Sequence, residues 1–107
     1  MPTYNKLVRD LIPDIIQRDG KACRTRILDA DEFRAALEEK FIEEWNEYRG
    51  ASSSADALEE LADVLEVIHG LLMLHGYSPD DLESRRQAKA SKRGAFAHRV
   101  FLIDAED

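Results

Sequence analysis

The segment from Leu58 to Leu74 constrains the fold most. Leu58, Leu61, Val64, Leu65, Val67, Ile68, Leu71, Leu72 and Leu74 fall at helical spacing yet occupy much of the circumference. A helix that is apolar nearly all round must be covered on several sides. In a chain of 107 residues, a second subunit is the natural source of that cover. The length fits one domain, 1–107, and the absence of repeats, low-complexity tracts or linkers agrees. Hydrophobic residues make up 44% of the chain and charged residues 35%, with only five Gly and three Pro, a balance that favours an all-α protein.

The remaining elements follow from punctuation. Leu7, Val8, Leu11, Ile12, Ile15 and Ile16 predict a short helix within Leu7–Arg18. Pro13 either begins its main part, near Asp10 to Pro13, or kinks it, and Asp19-Gly20 ends it. A second helix is expected from about Glu32 to Arg49, capped by Asp29 or Asp31 and stopped at Gly50, with Phe33, Leu37, Phe41 and Tyr48 facing inward. The third runs from about Ala55 to His75 before Gly76. The fourth starts with Ser78-Pro79, runs towards Lys92, and breaks at Arg93-Gly94. The expected fold is thus a bundle of four main helices built around an antiparallel pair. A minor β pairing of Arg24–Leu28 with Phe96–Ile103 is added near the C-terminus.

The single Cys23 has no disulfide or zinc partner and reads as packing in a reducing, cytoplasmic setting. The start MPTYNKLVRD lacks the apolar stretch of a signal peptide, and no run is long enough to span a bilayer. A net charge of −7 argues against general binding to nucleic-acid polymers. An acidic protein still binds a polyanion when a divalent cation sits between them.

Such a cation has an evident place. Glu43-Glu44-Trp45-Asn46-Glu47 lies on the second helix and Glu60-Leu61-Ala62-Asp63 on the third. Residues three apart share a helix face, so Glu44 projects with Glu47 and Glu60 with Asp63, while Glu43 lies close to Glu47. Twelve residues separate Glu47 from Glu60, enough to turn an antiparallel hairpin and bring the pairs face to face. Glu44 falls on the stripe of Leu37, Phe41 and Tyr48; Glu60 and Asp63 continue that of Val64, Val67, Leu71 and Leu74. Carboxylates gathered on half-buried faces repel and lose hydration. A divalent cation removes that penalty, and oxygen ligands without Cys or nearby His favour Mg²⁺ or Mn²⁺. The plain alternative is a solvated acidic face in a chain with 22 acidic residues.

Glu43-Glu44-x-x-Glu47 followed by Glu60-x-x-Asp63 resembles the acidic signature of MazG-like, all-α nucleoside triphosphate pyrophosphohydrolases. Tyr4-Asn5-Lys6-Leu7-Val8-Arg9-Asp10 with Ile12-Pro13, and Lys89-x-x-Lys92-Arg93-Gly94-x-Phe96, resemble a small single-domain branch described as phosphoribosyl-ATP pyrophosphohydrolase-like. The likeness implies an oligomeric helical hydrolase that cleaves between the α and β phosphates. Its products would be a nucleoside monophosphate and pyrophosphate, in a role such as clearing nucleotide pools. It also implies Glu44, Glu47, Glu60 and Asp63 as metal ligands, with Glu43 a further ligand or the group orienting water.

Phosphoryl transfer depends on positioning and charge neutralisation, so positive side chains should complete the site. Lys6, Arg9, Lys89, Lys92 and Arg93 are the candidates for a nucleotide polyphosphate, each with ordinary surface charge as its alternative. Asn5 could touch base or phosphate, or cap the first helix. Trp45 and Tyr48 could stack on a base but fit core or interface better. Glu66 and His69 form one ExxH where a di-iron bundle needs two, and His75 and His98 have no recognisable partner. Two readings compete with the pyrophosphohydrolase. One is a phosphoribosyl-ATP hydrolase with the same site; the other is a non-catalytic helical protein that binds cations or partners. The assembly expected is a homodimer or homotetramer formed through the third helix.

Overall fold

The computed structural model describes residues 2–107 and contains four α-helices and, among the described residues, no strand. Helix α1 spans Ile12–Arg18, α2 Ala30–Arg49, α3 Ser54–Leu74 and α4 Pro79–Arg93. The all-α expectation holds, and helix ends fall where local chemistry stops or starts them. Of the two expected caps for α2, Asp29 serves: its side chain accepts from the Glu32 amide at 2.8 Å, and the Glu32 carboxylate accepts from the Asp29 amide at 3.3 Å. Arg26 grips both oxygens of the same Glu32. Ser53 caps α3 through the Asp56 amide, and Ser78 and Asp81 form a reciprocal box on α4. Gly76 and Gly94 follow α3 and α4 with φ of 77° and 83°, a region where a side chain is strained.

Of the two roles open to Pro13, beginning the helix is the one observed: α1 starts at Ile12 with Pro13 in its first turn, where the missing amide costs nothing, and Leu7–Asp10 ahead of it are not helical. The pairing of Arg24–Leu28 with Phe96–Ile103 does not form, since neither segment is a strand. The tail turns back at Phe96, whose carbonyl accepts from the Arg99 amide, and Arg99 has φ of 56°. A left-handed residue interrupts the alternation that a ladder requires.

Packing is concentrated on one pair. Helices α2 and α3 form an antiparallel hairpin joined by 50–53, α4 leans on α3, and α1 packs against no other helix. Leu37 from α2 is buried with Val64 and Val67 from α3. Gly70 permits this approach: a Cβ there would stand 2.8 Å from the Leu37 Cδ2. No helix among the described residues is long and apolar enough to cross a membrane.

The single chain is nonetheless open. Its radius of gyration is 18.2 Å, against about 13 Å for a compact domain of this length. Its accessible surface is 9785 Å², against about 6,100 Å² for a compact monomer of this mass. Much of the excess is apolar. Leu58, Leu61 and Leu65 of α3 and Ile42 and Trp45 of α2 are exposed, and the tail leaves Phe96, Val100, Phe101, Leu102 and Ile103 between 75% and 95% exposed.

Candidate metal centre

The hairpin register brings the acidic motifs of the two helices together. One carboxylate oxygen each from Glu44 and Glu47 of α2 and Glu60 of α3 lie within 4.8 Å of one another. Glu44 points into the seam and is only 6% exposed, Glu60 is half-buried, and Glu47 opens to solvent. Position on the apolar stripe explains the difference. Glu44 is seven residues from Leu37, two helical turns along the same face. Glu60 precedes Val64 by four on α3.

This is a costly place for bare charge. Burial pushes the Glu44 carboxyl above its ordinary range, the nearby Glu47 charge pushes it further, and Lys40 opposes both. The Lys40 Nζ lies 3.4 Å from Glu44 Oε1 and 3.6 Å from Glu43 Oε1. On the other side of these carboxylates nothing compensates. Glu44 Oε2 and Glu60 Oε2 are buried with no hydrogen-bond partner among the described residues. Buried polar atoms normally find partners, so these two hard oxygen acceptors, with a third carboxylate beside them, fit a divalent cation. They offer no sulfur or imidazole nitrogen that would draw the site towards zinc.

The other residues expected at the site divide into two groups. Asp63, one turn beyond Glu60, stands outside the three-glutamate cluster; its Oδ1 accepts from Arg9 Nη2 at 2.6 Å. Glu43 lies at the rim, 3.8 Å from Lys6 Nζ. Lys6 and Arg9 thus lie beside the cluster, each paired with a carboxylate of the chain itself. Asn5 is exposed with φ of 44°, and it does not cap α1, whose first residues have no side-chain cap. Lys89, Lys92 and Arg93 are exposed on the last turns of α4, which does not pack on α2, and no ion pair or hydrogen bond links them to the carboxylates.

Trp45 and Tyr48 stack at 5.2 Å between ring centroids, tilted by 32°, with Trp45 largely on the surface rather than in a core. His69 faces Glu66 at 4.0 Å and joins no acidic cluster, which leaves the di-iron arrangement without its ligands. Cys23 is half-buried and near the Pro13 carbonyl, in keeping with a packing role. Lys40 was not among the expected residues. Its signal was present all the same, because a cation four residues before Glu44 and three before Glu43 shares their face.

The chain is 44% identical over 54 residues to an uncharacterized protein of Mycolicibacterium smegmatis. That match covers 50% of this chain and 55% of the relative, so the chain spans about half the length of the protein it resembles. No family model matches, and no solved structure is similar.

Replacing Glu44 by Gln removes a buried charge while keeping the shape of the side chain. In chelator-treated protein, Glu44→Gln is expected to raise stability at pH 8 by on the order of 1 kcal/mol, measured by urea unfolding. The sign follows from linkage. A carboxyl whose folded pKa is raised destabilises the fold above that pKa, and the cost disappears as pH falls through it. The advantage of the variant should therefore shrink from pH 8 towards pH 5. A variant less stable than wild type at pH 8 would show that Glu44 is already fully compensated by Lys40.

Proposed function

We propose that this chain is a Mg²⁺-dependent nucleoside triphosphate pyrophosphohydrolase of the MazG-like kind, working in a cytoplasmic setting. The observation that carries the reading is the pair of buried, unpartnered oxygens, Glu44 Oε2 and Glu60 Oε2, in a cluster completed by Glu47. The choice of α–β cleavage rests on the resemblance of the Glu43-Glu44-x-x-Glu47 and Glu60-x-x-Asp63 motifs.

Glu44, Glu47 and Glu60 hold the cation, and Asp63 is near enough in sequence, one turn on, to complete the set. Mg²⁺ bound there supplies charge neutralisation on the phosphates and a more acidic water. Glu43, at the rim beside Lys6 and Lys40, would orient the attacking water and accept its proton. Water adds to the α phosphorus and the bond to the bridging oxygen breaks. Nucleoside monophosphate and pyrophosphate leave, with release of one proton. Lys6 and Arg9 bring positive charge to the same rim for the polyphosphate. A phosphoribosyl-ATP hydrolase would use the same carboxylates with a different base and ribose pocket.

We also propose that the working form is a homodimer built on α3. Ala57, Glu60, Val64, Val67, Leu71 and Leu74 form one seam towards α2; Leu58, Leu61, Leu65, Ile68 and Leu72 form a second, also spaced three and four apart. The first three residues of the second seam are exposed, and α4 covers only its end near Ile68. The chain carries roughly 3,700 Å² more surface than a compact monomer would. That is well above the about 800 Å² per partner that a stable interface buries. A second copy presenting the same seam meets this need without any other protein.

Two experiments test these readings. Purified protein with Mg²⁺ and a panel of nucleoside triphosphates, including phosphoribosyl-ATP, should release pyrophosphate. Glu44→Ala and Asp63→Ala should lose at least about a hundredfold in rate. No release from any nucleotide, with metal binding unchanged in those variants, would leave a non-catalytic protein. Light scattering should give at least twice the 12.2 kDa chain mass, and Leu61→Lys with Leu65→Lys should dissociate the particle and lower its helicity. A folded monomer at all concentrations would contradict the dimer.

A further inference from the structure

Only one side-chain hydrogen bond between charged groups spans distant parts of the described chain. Arg9 Nη2 donates to Asp63 Oδ1 at 2.6 Å across 54 residues, and Arg9 Nη1 lies 3.9 Å from Glu66. Arg9 belongs to the non-helical segment before α1, and α1 itself packs on no other helix. Besides Arg9, the ion pair of this segment with the hairpin is Lys6 to Glu43, at 3.8 Å. The N-terminal arm is thus held to the acidic hairpin by charge, at two residues three apart.

We infer that Arg9 is a displaceable counter-ion of Asp63, holding that carboxylate while no cation is bound and releasing it when a divalent cation enters. The inference rests on the carboxylate cluster being a cation site. Asp63 shares a face of α3 with Glu60, one turn beyond it, and stands outside the three-glutamate cluster. A small divalent cation wants six oxygen ligands, so a fourth carboxylate is worth recruiting.

The bond to be surrendered is also a weak one. Both partners are open to solvent, the Arg9 side chain 55% exposed, and an exposed ion pair contributes at most about fivefold to an equilibrium constant. Finally, the group released is a guanidinium already at the rim, suited to bidentate contact with phosphate. Lys40 is anchored on α2 itself and remains with Glu43 and Glu44, so the site keeps one fixed cation while the arm moves. Arg9 then couples metal entry to substrate capture: it frees Asp63 for the cation, makes no contact with the metal itself, and turns its guanidinium to the phosphates.

The test is Mn²⁺ binding followed by electron paramagnetic resonance in wild type, Arg9→Gln and Arg9→Lys, with limited trypsin cleavage after Arg9 in wild type. Without nucleotide, Arg9→Gln should bind Mn²⁺ about two- to fivefold more tightly than wild type, and Arg9→Lys should stay near wild type. With a non-hydrolysable triphosphate present the order should reverse. In wild type, Mn²⁺ should speed trypsin cleavage after Arg9, whose side chain must leave Asp63 to enter the protease, which a charge effect at a distance would not do. If wild type binds Mn²⁺ but Arg9→Gln binds it no more tightly, or cleavage after Arg9 is not faster, the counter-ion role is wrong and the metal site stands. If wild type binds no Mn²⁺, the metal site fails and the inference falls with it.

Discussion

Along the seam between α2 and α3, the chain places Glu44 and Glu60 in line with the apolar residues that hold the two helices together. Leu37, Val64 and Val67 supply the attraction, and Gly70 allows the close approach of Leu37. The carboxylates supply repulsion and lost hydration in the same seam. Like charges less than 5 Å apart interact on the order of 3 kcal/mol at an effective dielectric of about 20, less where solvent screens Glu47. A core of three buried apolar side chains is a weak base for that cost. Lys40 offsets part of it on one edge, and Lys6 and Arg9 neutralise the rim. The remaining imbalance is what a cation would relieve, and the hairpin that makes the fold also gathers the three carboxylates.

The same hairpin explains the open shape. Helix α3 has one apolar seam towards α2 and another beside it, and a single chain fills only the first. Helix α4 leans on the far end of α3, while α1 and the tail find no helix to cover them. Hydrophobic burial scales with area removed from water, at about 25 cal/mol per Å². The excess surface is therefore unused driving force, and assembly through α3 would turn it into stability for both copies.

Much of this was legible in the residues because it is local. Caps at Asp29 and Ser78 and breaks at Gly76 and Gly94 follow from chemistry within one helical turn. The inward position of Glu44 followed from its spacing to Leu37, and the meeting with Glu60 followed from the short link between two helices. What depends on distant contacts was not legible. The apolar spacing of Leu7 to Ile16 runs across the start of α1, and only Pro13 marks the boundary, without deciding between a start and a kink. The Phe96–Ile103 alternation suggests a strand, but a turn at Phe96 and left-handed Arg99 decide otherwise. Arg9 reads from the sequence as a candidate for phosphate, whereas its hold on Asp63 depends on how the arm lies across the hairpin.

The central claim, that buried carboxylates of α2 and α3 await a divalent cation, is tested most directly by thermal unfolding with and without Mg²⁺ at constant ionic strength. Cation binding to the folded chain alone predicts stabilisation of about 2.7 kcal/mol at a hundredfold excess over Kd, and so a rise of at least several degrees in Tm. An unfolding curve that Mg²⁺ and Mn²⁺ both leave unmoved, at millimolar concentration, would contradict it.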